Sequence, residues 1–123
     1  MHIYIKNTEK GRGIFTDSLI KAGEEIEICP VIVCPEQDRK LIDQTELYNY
    51  YFLWGDNHEL TALALGYGSL YNHSYTPNVI YECYYEEQYI KFIALQDILP
   101  HSELTINYNY DADNQDKLWF EVR

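Results

Sequence analysis

The chain has 123 residues, 46% hydrophobic and 15% aromatic, which predicts one domain over residues 1–123 with a buried core, since the length is too short for two ordinary domains. Its formal net charge of −11 argues against direct binding to nucleic acid and favours cationic partners. No apolar run approaches the roughly 20 residues of a membrane helix, and the first residues lack a secretory signal, so we expect a cytoplasmic protein, with a secreted effector as the alternative.

The first part of the chain predicts a β-hairpin and then a longer strand. Two short apolar stretches within residues 1–15 flank a polar segment that contains glycines, which is typical of a hairpin. Residues 25–33 are rich in β-branched side chains and predict a strand. Because Pro30 and Pro35 mark the end of this segment, we expect an edge strand or an interrupted one.

The remaining elements are short. Residues 36–43 are polar and predict a short helix, whereas the aromatic run of residues 46–54 matches a helix and a strand equally well. Residues 79–86 and 88–95 predict a second hairpin, because apolar and polar side chains alternate there. A last strand follows at residues 103–108. The pattern predicts a mainly β domain with short helices.

The three cysteines point to neither a disulfide framework nor a zinc site. Cys29, Cys34 and Cys83 are odd in number, have no CxxC spacing and are not paired with histidines. We therefore predict free thiols that are mostly buried, and no metal.

Three polar segments are candidates for chemistry. Taken alone, Gly11-Arg12-Gly13 is most simply a hairpin loop that needs positive φ. Residues 72–78 (Asn-His-Ser-Tyr-Thr-Pro-Asn) concentrate hydrogen-bonding side chains in one loop, although a solvated turn would have the same composition. Residues 103–111 carry a strand into a polar stretch that contains tyrosines.

In this order, the three segments resemble the motifs of the SET-domain lysine methyltransferases. The glycine motif followed by Ile14-Phe15 is similar to the family's opening motif, and residues 72–78 match its Asn-His-Ser-x-x-Pro-Asn motif in full. Residues 103–105 (Glu-Leu-Thr) with Tyr108 are similar to its strand that ends in the catalytic tyrosine. The resemblance implies a SET-domain fold of several small sheets, with a C-terminal segment threaded beneath the Asn-His loop, a rare arrangement in proteins.

The resemblance also implies a role for each matched position, with S-adenosylmethionine as the methyl donor. The residues implied to hold this cofactor are Gly11, Arg12, Gly13, Asn72, His73 and Trp119, the last by stacking on the adenine. Tyr108 would be the catalytic tyrosine, and Tyr81 and Tyr110 would line the substrate lysine channel. The zinc-binding segments that flank the domain in many relatives are absent, so we expect residues 111–123 or a second subunit of a homodimer to complete the substrate site.

Lysine methylation is compatible with these residue types. A free lysine has a pKa of about 10.4, yet it must be neutral to attack. A dry aromatic channel and a nearby sulfonium both lower that pKa, so a conventional base is not required. The acidic surface would attract a lysine in a basic protein or peptide.

Two rival functions remain open. One is a SET-like binding module that holds a lysine-bearing partner without turnover. The other is a metal-dependent hydrolase built on His58, His73 and His101, for which no HxH or HxxxH spacing gives support.

Overall fold

The structure is a computed structural model that describes residues 2–109. Within these residues most of the regular structure is β, and the predicted fold class, mainly β with short helices, is confirmed. The elements in chain order are β1 (Ile3–Thr8), β2 (Gly11–Thr16), β3 (Glu25–Cys34), a 3₁₀ turn (Glu36–Asp38), α1 (Arg39–Ile42), a second 3₁₀ turn (Glu46–Asn49), β4 (Phe52–Trp54), β5 (Leu60–Ala64), a third 3₁₀ turn (Gly68–Leu70), β6 (Asn72–His73), β7 (Val79–Tyr84), β8 (Tyr89–Ala94) and β9 (Glu103–Ile106). No helix among the described residues is long and apolar enough to cross a membrane.

The chain divides into two compact units. Among the described residues, the first contains 2–27, Leu70–Tyr81 and 92–109, and the second contains Ile28–Ser69 and Glu82–Lys91. Three of the four boundaries fall within β3, β7 and β8, and the fourth falls within the third 3₁₀ turn.

The first unit contains a four-stranded sheet in the order β1-β2-β9-β6. β1 and β2 form the predicted hairpin, with Tyr4 opposite Phe15 and Thr8 opposite Gly11. The turn between the two strands is shorter than the polar segment predicted there, because Asn7 and Thr8 pair with Arg12 and Gly11 across the hairpin. Gly11 has a φ of 104°, a conformation that glycine adopts readily at such a turn.

The core of the first unit is built from branched aliphatic side chains. Ile14 and Leu104, which face each other across β2 and β9, are fully buried. Ile20 and Ile98 form an isolated bridge and are also buried, as is Ile106 at the end of β9. Burial of each such side chain stabilises the fold by about 1.5–3 kcal/mol relative to exposure.

The second unit corrects one expectation for the strand that contains Pro30. β3 is not an edge strand, because the sheet order is β4-β5-β3-β8-β7. Its pairing with β5 begins at Val31, opposite Ala64. Pro30 therefore lies beside Leu65, one residue beyond β5, and its carbonyl accepts the Leu65 N–H at 2.9 Å. The missing proline N–H can therefore cost only a bond to Leu65 at the end of this pairing, and none among the paired residues Val31–Cys34.

The other predicted elements agree with the structure in type and differ in length. The helix over residues 36–43 forms as a 3₁₀ turn followed by α1, and the open segment 46–54 contains both a 3₁₀ turn and strand β4. The second hairpin forms as β7 and β8, whereas β9 ends at Ile106, two residues early. None of the three cysteines forms a disulfide, but only Cys29 is fully buried.

Candidate functional site

The first unit brings the three sequence segments together. β9 lies between β2, which carries the glycine motif, and β6, which is the Asn-His pair itself. β9 is antiparallel to β2 and parallel to β6, with Asn72 opposite Thr105 and His73 opposite Ile106. Residues far apart in the chain thus become neighbours across one sheet.

Asn72 connects the glycine motif to β9. Its side-chain Nδ2 donates to the Arg12 carbonyl at 3.2 Å and to Glu103 Oε2 at 2.7 Å. A Cβ at Gly13 would lie 2.9 Å from that Nδ2 and 2.5 Å from Glu103 Oε2. Glycine at position 13 permits this close approach, because a Cβ there would force the Glu103 carboxylate and the Asn72 amide to move.

The Pro-Asn end of the second motif fixes β9. The Asn78 side chain donates to the Glu103 carbonyl at 2.9 Å and accepts the Thr105 N–H at 2.8 Å. It replaces a neighbouring strand at these two backbone groups. Sequence analysis did not assign a role to Asn78 or Glu103, although both lie within the matched motifs.

His73 is buried and its ring is oriented by one hydrogen bond. Nδ1 accepts the Tyr108 N–H at 3.0 Å, so the neutral ring carries its proton on Nε2. Nε2 is itself buried and has no hydrogen-bond partner among residues 2–109. The ring also makes an edge contact with Tyr75, with centroids 4.4 Å apart.

The electrostatic surroundings keep His73 uncharged. Burial, and secondarily the positive charge of Lys10, lowers the pKa of His73 from 6.5 to about 4. The Lys10 ammonium donates to the His73 carbonyl at 3.1 Å, which holds that charge close to the ring. At neutral pH the Nε2–H group is therefore a buried neutral donor.

Tyr108 projects from the end of β9 and its hydroxyl is held by the backbone. The hydroxyl donates to the Tyr71 carbonyl at 2.6 Å. With its proton engaged in this way, the oxygen retains lone pairs that can accept a further contact.

Tyr71, Tyr81 and Phe92 form an aromatic cluster in the same unit. The Tyr71 ring stacks on Phe92 with centroids 4.5 Å apart, and the Tyr81 ring is tilted against Phe92 at 6.1 Å. The Tyr81 hydroxyl donates to the Asn107 carbonyl at 3.2 Å. The aromatic cluster therefore places one predicted channel residue, Tyr81, in the same unit as Tyr108.

Tyr71 is a further residue to which sequence analysis assigned no role, and three predictions fall on residues that the structure does not describe. Tyr71 is fully buried, and an aromatic side chain directly before the Asn-His pair was the available signal. Tyr110 and Trp119 lie outside the described residues, as does the threaded C-terminal segment. Within residues 2–109, no three His, Cys, Asp or Glu side chains form a group that could hold a metal.

Known proteins resemble this chain over the residues that carry the three sequence motifs. The family model described as "SET domain" matches residues 11–109. A histone-lysine N-methyltransferase of Schizosaccharomyces pombe, specific for H3 lysine 37, is 37% identical over 119 residues, which are 95% of this chain and 76% of that protein.

Solved structures give the same result. That of a candidate histone methyltransferase of Plasmodium falciparum has a TM-score of 0.69 and 29% identity, and the match covers 89% of this chain and 99% of that one. A chain of Polycomb repressive complex 2 from Chaetomium thermophilum, bound to S-adenosylmethionine, has a TM-score of 0.71 at 19% identity. It is a likeness of fold, over 86% of this chain and 15% of that one.

Proposed function

Because this chain belongs to the SET-domain family and is by class a protein-lysine N-methyltransferase, we propose that it transfers a methyl group from S-adenosylmethionine to a lysine in a basic protein or peptide. The family resemblance of the three motifs is confirmed. The observation that carries the proposal is the position of β9 between β2 and β6, since it brings the three motifs into one sheet, where the centroid of the Tyr108 ring lies 5.2 Å from that of His73. The histone-directed activity of the S. pombe relative supports a protein lysine as acceptor.

The residues around β2 and β6 fit S-adenosylmethionine. Gly13 lets the Asn72 side chain approach the β2 backbone closely. The buried Nε2–H of His73 is a donor in need of an acceptor, as a heteroaromatic base can provide. Arg12 supplies positive charge for a carboxylate. When bound, S-adenosylmethionine supplies a methyl group activated by a sulfonium.

The chain's own residues would prepare the amine. A lysine with a pKa of about 10.4 costs roughly 4–5 kcal/mol to hold neutral at pH 7. Desolvation beside aromatic rings such as Tyr81 and Phe92 disfavours the ammonium and offsets part of that cost. The Tyr108 hydroxyl, whose proton is given to the Tyr71 carbonyl, accepts weak C–H contacts and orients the reacting groups instead of acting as a base.

Calorimetry with S-adenosylhomocysteine tests the cofactor site. We expect one site per chain, with an affinity at least about tenfold weaker in Asn72→Ala, because a loss of about 1.4 kcal/mol already gives that factor. Asn57→Ala, at an exposed loop position, is the matched control and should bind as wild type. Unchanged affinity in a folded Asn72→Ala variant would contradict the assignment.

Turnover separates an enzyme from a SET-like binding module. We expect radiolabelled methyl transfer from S-adenosylmethionine to recombinant histone H3 or to a mixture of basic proteins. Cofactor binding without transfer to any of these acceptors would favour the binding module.

We also propose that the protein forms a homodimer. Ile28 and Ile32 lie on one face of β3 and are 46% and 52% exposed, and Leu65, which follows β5, is 46% exposed. Exposed aliphatic side chains gathered on a sheet face are typical of an interaction surface, and symmetric dimers are the commonest oligomers. Light scattering at micromolar concentration should report a dimer for wild type and the 14.6 kDa species for Ile32→Asp. A wild-type monomer would refute this proposal.

A further inference from the structure

Tyr71 connects the proposed catalytic tyrosine to an acidic side chain on another strand. Its backbone carbonyl accepts the Tyr108 hydroxyl at 2.6 Å, and its own hydroxyl donates to Glu27 Oε1 at 3.0 Å. Glu27 belongs to the β3 portion of the first unit. A chain of two hydrogen bonds through one residue therefore joins Glu27 to the Tyr108 hydroxyl.

The Tyr71 side chain is held at both ends. Its ring is 1% exposed and stacks on Phe92 with an interplanar angle of 19°, while Glu27 fixes the hydroxyl. On the main chain, the next residue, Asn72, begins strand β6 and pairs with β9. With ring, hydroxyl and following backbone all restrained, the Tyr71 carbonyl has a defined direction.

That direction matters because it decides where the Tyr108 hydroxyl proton points. A hydroxyl rotates freely unless an acceptor holds its proton. While the Tyr71 carbonyl takes this proton, the lone pairs of the Tyr108 oxygen face elsewhere and can accept contacts from reacting groups. A small loss of such alignment has a large effect on a reaction that depends on positioning.

We propose that Tyr71 is a positioning residue for the Tyr108 hydroxyl and that Glu27 anchors it through the Tyr71 hydroxyl. The effect on turnover rests on the proposed methyl transfer, whereas the hydrogen-bonded link itself does not. The Tyr71 carbonyl accepts the Tyr108 hydroxyl, and the Tyr71 side chain, held by Glu27, keeps that carbonyl in place. Tyr71 and Glu27 need not contact either substrate.

Tyr71→Phe tests this role because it removes the hydroxyl and keeps the ring. In methyl transfer from S-adenosylmethionine to recombinant histone H3, we expect kcat to fall roughly tenfold, equivalent to about 1.4 kcal/mol, with both KM values within about twofold of wild type. Glu27→Ala should cause a similar loss, and the double variant should be no worse than either single one, since both changes break the same link.

Tyr84→Phe is the matched control. The Tyr84 hydroxyl also donates to a glutamate carboxylate at 3.0 Å, that of Glu82, at the protein surface. This variant should keep the wild-type kcat. The inference fails if Tyr71→Phe behaves like Tyr84→Phe, if the Tyr71 and Glu27 losses add, or if Tyr71→Phe raises KM at unchanged kcat.

NMR of protein labelled at the tyrosine ¹³Cζ tests the link without turnover. The Tyr108 signal is identified by its loss in Tyr108→Phe. It should shift in Tyr71→Phe and Glu27→Ala, because the Tyr108 hydroxyl changes its hydrogen bond, and should stay in place in Tyr84→Phe. A Tyr108 signal that does not move overturns the inference. A wild-type protein that shows this shift pattern but transfers no methyl group refutes the proposed function and leaves the positioning role of Tyr71 intact.

Discussion

Acid should destabilise this protein through His73. Burial, and secondarily the charge of Lys10, lowers the pKa of His73 from 6.5 to about 4 in the folded chain. The unfolded chain has no such environment, so there the imidazole takes up a proton near pH 6.5. Between these two values the unfolded state binds more protons than the folded state, and the free energy of unfolding therefore falls as the pH drops.

The size of the effect follows from the two pKa values. The difference between 6.5 and about 4, at about 1.36 kcal/mol per unit of pKa, amounts to about 3 kcal/mol. Above pH 6.5 both states are neutral at this residue and the contribution is constant. Below about pH 4 the folded histidine is protonated as well, and the loss from this residue is complete. A loss of this size is a large part of the 5–15 kcal/mol that typically separates folded from unfolded domains.

Urea unfolding followed by tryptophan fluorescence at several pH values from 7 to 4.5 measures this loss. His73→Asn keeps an oxygen that can accept the Tyr108 N–H and removes the titrating ring, so its free energy of unfolding should fall less steeply with acid than that of wild type. Subtracting the two curves cancels the carboxylates that both proteins share. The control is Asn57→Ala, at an exposed loop position that carries no titrating group, and it should follow the wild-type slope.

The slope rather than the absolute stability decides this prediction. His73→Asn is expected to be less stable than wild type at every pH, because it loses buried ring contacts. If the wild-type and His73→Asn curves run parallel from pH 6.5 to 4.5, the argument that His73 is buried as a neutral imidazole is wrong.

Three further substitutions test the site. Gly13→Ala should lower the free energy of unfolding by about 1–3 kcal/mol, because the added methyl group breaks the hydrogen bond between Asn72 and Glu103. It should also weaken cofactor binding. An unchanged affinity by calorimetry would count against the close approach of the Asn72 side chain to the β2 backbone. Tyr108→Phe should abolish methyl transfer and keep the cofactor affinity, while the lost hydrogen bond to the Tyr71 carbonyl lowers the free energy of unfolding by only about 1 kcal/mol. Substantial residual turnover would make Tyr108 structural. Wild type should give mainly monomethyl-lysine, and Tyr81→Phe should give more dimethyl-lysine. The Tyr81 hydroxyl can hold a water molecule in the space that a second methyl group would need. Identical product distributions by mass spectrometry would show that Tyr81 does not limit the number of methyl groups added.

The sequence alone determined the element types and the family. Two apolar stretches around a polar segment with glycines predicted the first hairpin. Alternation of apolar and polar side chains predicted the second, because each strand has one face towards the core and one away from it. The three motifs in order predicted the SET-domain fold, although each by itself had a plainer explanation. These features are local or consist of residue identities, and a single chain displays them directly.

Strand neighbours required the tertiary structure. Pro30 suggested an edge strand, yet β3 lies between β5 and β8. A proline lacks one backbone N–H, so it can remove only one hydrogen bond on one side of the strand, and the other residues can still pair on both sides. Residues 46–54 could not be assigned because their aromatic side chains satisfy both periods, and packing selects a 3₁₀ turn for one part and a strand for the other.

The chemical state of the site also depends on long-range contacts. Sequence identified His73 and Tyr108 by their motifs, but the proton on His73 Nε2 follows from the Tyr108 N–H that occupies Nδ1, and its lowered pKa follows from burial. Tyr71 was missed for the same reason, since a buried tyrosine is usually only a core residue. Its link between Glu27 and Tyr108 exists because folding places residues distant in sequence within hydrogen-bond distance, and no local pattern records that distance.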